Sequence, residues 1–534
     1  MPQLRCEGPV QPEQVHLSYP GDPTSMVVTW TTFGLAESLV VFGKAPGKDL
    51  PHRASGNATR FVDGGSLGRA MFIHRVTLHG LLPGQNYLYR CGSPWGWSRP
   101  YGFRALLNGS SWSPRFALFG DMGLENPQSL PRLQREVQQG WYDAVLHIGD
   151  FAYDLHSDNA TVGDAFMRKI EAVAAFVPYM TCPGNHEEKY NFSNYRSRFS
   201  MPGDTENLWY SWDVGPAHLI AFSTEVYFYL DYGEQLVAKQ FQWLERDLQE
   251  ANRPARRGER PWIITMGHRP MYCSNNDKDD CTQYESIVRK GLKLDRYGLE
   301  DLFFKYGVDL MLWAHEHSYE RLWPLYDYKV YNGSTTAPYT NPRVPVHIIT
   351  GSAGCVERLD PFIPDPREWS ALRVEDYGYA RMQIVNRTHL WLEQVSDDQN
   401  GKVVDKIWLI KDRPGPGIDL HRKGSFAIGT RDVLQDRAAP RVTAGLSGGY
   451  RPTGSLLERS PARRCLIKSE PSSFRPPRGA GHSVAKRRGG ACPRMLPGRD
   501  LAGSQNGVVV VVVLLVNRTG TGLCGGGGEG SGSC

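Results

Sequence analysis

The sequence predicts an α/β fold that follows a smaller all-β module and precedes a segment with too little apolar content to bury a core. Three observations carry this. Short apolar strands separated by Gly, Pro and Asp fill residues 14–107, apolar strands alternate with helical stretches over 113–411, and composition changes abruptly at Asp412. Residues 412–534 hold 19 basic against 8 acidic residues and only Phe426, Tyr450 and Phe474 of 59 aromatics. Residues 1–411 hold 42 basic and 48 acidic residues, so the part able to fold is net −6 and the remainder +11.

These balances exclude some functions. A nucleic-acid binder is disfavoured, because the basic residues lie where almost no aromatic could stack on a base. No membrane span is expected, since spanning needs about 18 consecutive apolar residues. The longest apolar run, Val508–Val516, has nine. The valine block and Gly525–Gly528 lack helical or strand periodicity, so 412–534 reads as a disordered, low-complexity basic tail.

In the front module, strands are expected at Val15–Ser18, Met26–Thr31, Leu39–Phe42, Met71–Leu78, Tyr87–Cys91 and Tyr101–Arg104. Turn residues between short strands suggest a β-sandwich. The Leu82–Tyr87 segment before Tyr89 resembles the tyrosine corner of fibronectin type III modules. The region has no ionisable cluster and reads as a scaffold.

After Ser113-Pro114 helical stretches at Pro131–Gln139, Val162–Ala175 and Leu236–Glu250 alternate with strands. Five strands end alike: Phe116–Phe119 runs into Gly120-Asp121, Ala144–Ile148 into Gly149-Asp150, Tyr179–Cys182 into Gly184-Asn185-His186, Trp262–Met266 into Gly267-His268, and Asp309–Trp313 into Ala314-His315-Glu316-His317. Ligands of open α/β sheets gather at the carboxyl ends of strands. A single Gly-Asp is usually a turn and a single His usually a satisfied core residue. Packing does not require five strand ends to offer oxygen or nitrogen donors together. The candidate set is Asp121, Asp150, Tyr153, Asn185, His268, His315 and His317. A strand meander over Tyr377–Lys411 is expected to close the second layer.

The blocks Gly120-Asp121-Met122-Gly123, Gly149–Tyr153, Gly184–Glu187, Thr265–His268 and Ala314–His317 resemble the five motifs of the purple acid phosphatases, in order over 14–411. Thr265 stands where Val is usual and Ala314 where Gly is usual, and neither is a donor. The resemblance implies a four-layer αββα metallophosphoesterase sandwich at 113–411 behind a fibronectin type III-like module at 14–107. It also implies an acid phosphatase of the phosphoric monoester hydrolase type, acting on small phosphorylated substrates by attack of a metal-bound hydroxide. His186, outside the ligand pattern, is implied to lie near the phosphate, where it could protonate the leaving alkoxide.

The donor chemistry agrees. A hard trivalent cation such as Fe(III) favours Asp121, Asp150 and the phenolate of Tyr153 with one imidazole from His317. A divalent Zn(II), Fe(II) or Mn(II) suits Asn185, His268 and His315, with Asp150 bridging. Gly123 replaces the His of ordinary dinuclear phosphoesterases while Tyr153 is added, which favours the trivalent ion, a violet colour and an acid optimum. Two plant-type histidines are replaced by Asp277 and Lys278, which read as a solvated loop, as do Glu187, Glu188 and Glu316. The alternatives are a metallophosphodiesterase on the same fold and a non-catalytic adhesion module, the latter opposed by the complete donor set.

Sequons at Asn57, Asn108, Asn159, Asn191, Asn332, Asn386 and Asn517 point to a secreted or lysosomal glycoprotein. Met1–Gln14 shows no leader, which is expected upstream of this start. Cys273 and Cys281, eight apart, could form a local disulfide.

Overall fold

In the computed structural model, residues 8–276, 278, 281, 286–293, 296–331 and 336–412 are described. Asp277, Asn332, Asn517 and the tail expected after Asp412 lie outside them. Among the described residues no helix is long and apolar enough to cross a membrane.

The front module is a sandwich of two antiparallel sheets. One runs in the order Glu13–Ser18, Met26–Thr32, Ala70–Leu78, Asn57–Val62. The other runs His52–Ser55, Leu39–Lys44, Asn86–Ser93, Gly96–Trp97, with Tyr101–Arg104 also on Asn86–Ser93. Alternation drives Val15, Leu17, Val28, Trp30, Val40 and Tyr89 into a shared core. The tyrosine corner forms through Tyr87, whose hydroxyl accepts the Leu82 N–H at 2.9 Å. Tyr89 instead donates to the carbonyl of Ala175 at 2.8 Å, tying this module to the next.

The α/β part stacks two sheets. The first has the order Tyr179–Cys182, Ala144–Ile148, Arg115–Phe119, Gly378–Ile384, His389–Ser396, Lys402–Ile410. The second has the order Tyr210–Val214, Ala217–Ala221, Trp262–Met266, Leu310–Trp313, Val346–Thr350, Tyr319–Leu322, Ser370–Val374. The central strands of each are parallel and wholly buried, as strands covered on both faces must be. One continuous core joins both sheets to the helices Leu130–Gln138, Ser157–Ala174, Gln235–Ala251 and Leu299–Lys305, which complete the αββα layering.

The meander departs from expectation. It extends the first sheet, pairing Gly378–Ile384 antiparallel to Arg115–Phe119, while Tyr319–Leu322 and Ser370–Val374 finish the second. Its alternating apolar residues bury one face of a sheet that already had an open edge.

The two parts share a buried polar seam. Arg198 pairs with Asp164 at 2.9 Å with both side chains 1% exposed, and Arg69 of the front module also reaches Asp164. Gln14 and Asn194 oxygens and the Ala160 carbonyl take further Arg198 donors. His16 has its Nδ1 2.8 Å from the Gln14 carbonyl and its Nε2 2.9 Å from the Arg198 carbonyl, and burial, opposed by these two contacts, holds it down at about 4.

Candidate metal centre

The parallel strands deliver their donors to one end of the two sheets. Asp121, Asp150, Tyr153 and Asn185 follow strands of the first sheet, and His268, His315 and His317 follow strands of the second. Asp150, His268 and His315 each present one ligand atom within 4.8 Å of the others. His268 Nε2 lies 3.2 Å from Asp150 Oδ2 and 3.1 Å from Asn185 Oδ1. His315 Nδ1 is 3.2 Å from that same Nε2. On the other side, the Tyr153 hydroxyl is 3.2 Å from Asp121 Oδ1 and 2.9 Å from His317 Nε2. The structure therefore brings all seven candidates into two adjoining groups with Asp150 and Asp121 at their centre.

Local backbone conformation aims these groups. Asp121, Asp150, Tyr153 and His315 all have positive φ, between 52° and 71°. For side-chain-bearing residues such conformations cost about 1–3 kcal/mol each and persist at sites where the surroundings over-determine them. Gly149 and Gly184 permit the close approach, since a Cβ on either would collide with His268 or Asp150.

A second layer fixes the rings. His268 Nδ1 faces the Ile148 carbonyl at 2.9 Å and His317 Nδ1 the Arg358 carbonyl at 3.0 Å, leaving each Nε2 toward the cluster. Metal-binding histidines are commonly oriented in this way. Arg269 Nη1 lies 2.9 Å from His315 Nε2, so His315 turns Nδ1 inward. The Asp121 carboxylate also accepts the His315 backbone N–H at 3.0 Å, coupling the two sheets.

The donor set fits a pair of cations. Burial would push His268 down, but the carboxylates of Asp150 and Asp121 outweigh it and hold it up at about 10. Burial pushes Asp121 up, against His268 and His317. Burial followed by the Asp121 and Asp150 charges drives the Tyr153 phenol well above its ordinary range. Two buried carboxylates, a phenol that needs a strong positive neighbour to ionise, and three inward-facing imidazoles form a cluster in which metal charge would replace the protons that now balance the carboxylates.

His186 also stands at the cluster. Its Nε2 is 3.9 Å from Asp150 Oδ2, its Nδ1 is bonded to Asp154, and its ring lies 4.3 Å from that of Tyr153. Burial would lower it, but Asp150, Asp154 and Glu187 raise it to about 9. Asp154 was not legible as a partner, because nothing in its spacing marks it.

Two loop charges are corrected. Glu187 is buried, and its carboxylate accepts the N–H groups of Asp150 at 2.9 Å, Phe151 at 3.1 Å and Gly184 at 2.9 Å. Glu316 is also buried, against Cys281 of the Cys273–Cys281 disulfide. Glu188 takes the Tyr232 hydroxyl, and Lys278 is exposed as expected. Of the sequons, Asn57, Asn108 and Asn386 are exposed. Asn159 and Asn191 are half-buried, their side-chain oxygens bonded to the Leu67 N–H at 3.0 Å and Arg196 Nη2 at 2.9 Å.

Stacked αββα sheets with such donors at their strand ends define a metallophosphoesterase. The model of the calcineurin-like phosphoesterases matches residues 114–319, that of the purple acid phosphatase N-terminal domain 12–105, and that of iron/zinc purple acid phosphatase-like protein C 344–406. The chain is 68% identical over 400 residues to acid phosphatase type 7 of Homo sapiens, covering 75% of this chain and 91% of that one. It is 30% identical to purple acid phosphatase 18 of Arabidopsis thaliana, covering 74% and 84%. Among solved structures it resembles purple acid phosphatase PPD1 from yellow lupin (Lupinus luteus) seeds, with TM-score 0.64, 26% identity and coverage of 76% and 75%. The chain belongs to the purple acid phosphatase family. It is a metal-dependent phosphatase, and membership implies a dinuclear metal centre and small phosphorylated substrates.

Proposed function

We propose that the chain hydrolyses phosphate monoesters at an Fe(III)–M(II) centre, with M being Zn, Fe or Mn. Asp121, Asp150, Tyr153 and His317 would hold the trivalent ion, and Asp150, Asn185, His268 and His315 the divalent one. The observation that carries this is the convergence of Asp150, His268 and His315 within 4.8 Å, beside the Tyr153–Asp121–His317 group. When bound, such a pair supplies an acidified water and the positive charge that neutralises a phosphoryl group.

The chain's own residues do the rest. Asp150 would hold the His268 side of the centre, and Asp121, whose Oδ2 accepts the His315 N–H, ties the two donor groups together. His186 has Nδ1 engaged by Asp154, so Nε2 is directed toward the space above Asp150, where a phosphoryl oxygen would lie. From there it hydrogen-bonds that oxygen and delivers a proton to the departing alkoxide, while Asp154 steadies the ring's charge. Glu187 keeps the Asp150 and Gly184 loops together. Exposed Asn57, Asn108 and Asn386 and the Cys273–Cys281 disulfide support passage through an oxidising secretory route and glycosylation at those positions.

The test is Tyr153→Phe in purified protein. Loss of the visible charge-transfer band together with acid phosphatase activity is expected. Retention of both would refute the assignment.

A further inference from the structure

We infer that an N-glycan on Asn386 lies over an outward-facing pair of tryptophans, Trp391 and Trp408, and that this aromatic face of the first sheet is built to be covered by that glycan. The inference rests on the glycosylation reading above and adds to it the surface that the sugar occupies.

Asn386 lies in the turn between the antiparallel strands Gly378–Ile384 and His389–Ser396. Its Oδ1 accepts the Thr388 N–H at 2.8 Å, the Thr388 hydroxyl at 3.0 Å and the His389 N–H at 2.8 Å. Three bonds to one oxygen fix the carboxamide. Nδ2, the atom to which an N-glycan is joined, is the other end of that fixed group, and the residue is exposed. The first sugar is thus attached to a held amide, not to a freely turning one.

Contacts run from the sequon onto the sheet. The Thr388 hydroxyl is 2.8 Å from His389 Nδ1. The His389 ring lies 6.0 Å from that of Trp408, and Trp408 lies 4.8 Å from Trp391, between centroids. Strand register produces this row. Trp391 stands directly opposite Trp408, and alternation sends Leu390, Leu392, Ile407 and Leu409 into the core while the two tryptophans face outward. Trp408 is 45% exposed, and its strand, Lys402–Ile410, is the last in the order of its sheet.

An uncovered aromatic pair at a sheet margin invites association with other chains. The chemistry of a glycan suits the place. One face of a pyranose ring carries C–H groups, whose positive hydrogens match the negative faces of indole rings, while its hydroxyls stay in water. The next cross-strand pair, Glu393 and Lys406, is charged and bounds the apolar patch.

The experiment takes the full-length chain secreted by cultured mammalian cells behind a cleavable leader, with Asn386→Gln and Asn57→Gln beside it. Hydroxyl-radical footprinting is read by peptide mass spectrometry, which also reports glycan occupancy. Oxidation of Trp391 and Trp408 should rise about threefold in Asn386→Gln, as their ring faces are uncovered, and should not change in Asn57→Gln. Trp95, 83% exposed on the front module, should label equally in all three. Enzymatic removal of glycans from the folded, unsubstituted protein should give the same rise, independently of any effect of the substitution on the turn. Equal oxidation of the pair with and without an occupied Asn386 would overturn the inference, as would glycans at Asn57 and Asn108 with Asn386 bare. Protection that persists in Asn386→Gln together with a dimer in sedimentation would assign the face to a second copy and overturn it too. Absence of glycan from all three exposed sequons would instead overturn the glycosylation reading.

Discussion

Replacing Glu187 with Gln tests whether the buried carboxylate behind the candidate centre acts as a clasp. Both its oxygens accept: Oε2 takes the N–H groups of Asp150 and Gly184, and Oε1 takes that of Phe151. Glutamine is nearly isosteric but has one acceptor and one donor. If its oxygen keeps the Asp150 and Gly184 bonds, its NH2 opposes the Phe151 N–H, and one buried donor is left unsatisfied. That costs about 1–3 kcal/mol. Relief of crowding with Asp150, which together with burial raises Glu187 to about 8, offsets part of this. A net loss of about 2 kcal/mol remains, concentrated on the two loops that bear Asp150 and Asn185. Expressed through metal affinity, this is roughly thirtyfold, within the range seen when outer residues of metal sites are changed. The assay is competitive chelation of the loaded protein, with thermal unfolding of loaded and metal-free protein alongside. A chelation midpoint within threefold of the unsubstituted protein would refute the clasp.

Other outcomes follow from the packing. Asp164→Asn should lower stability by about 3 kcal/mol in urea unfolding, because it strands Arg198 in the interior without its carboxylate; a loss under 1 kcal/mol would contradict that. His218, buried between Asp213 at 2.8 Å and Asp247 at 2.9 Å, is lowered by burial but raised further by those carboxylates, to about 9. Its folded value exceeds the unfolded one near 6.5, so its contribution of about 3 kcal/mol is complete below pH ~6.5 and disappears as pH rises through about 9. His218→Gln should flatten stability across that window, which denaturant titrations at several pH values would show. Tyr89→Phe removes the link to Ala175 and should cost about 1 kcal/mol in thermal unfolding without altering the visible spectrum.

The legible parts were those written in local pattern. Ala144–Ile148, Tyr179–Cys182 and Trp262–Met266 match their expected bounds because short, mostly apolar runs lead into Gly and a polar donor. The seven candidate residues come together at the strand ends, where Asp150, His268 and His315 place ligand atoms within 4.8 Å of one another. His52–Ser55 and Asn57–Val62 passed unnoticed, since their largely exposed edge residues carry no apolar alternation. Glu187 and Glu316 looked like loop charges because their burial depends on partners 35 to 37 residues away, Asp150 and Phe151 for the one and Cys281 for the other, which composition does not reveal.

Four of the seven candidate donors follow strands of one sheet and three follow strands of the other, so the full proposed set exists only where both sheets meet. A cation held by the whole proposed set would act as a rivet between the layers. Loading of such a site would shift the folding equilibrium by mass action as the free ion rises above its dissociation constant.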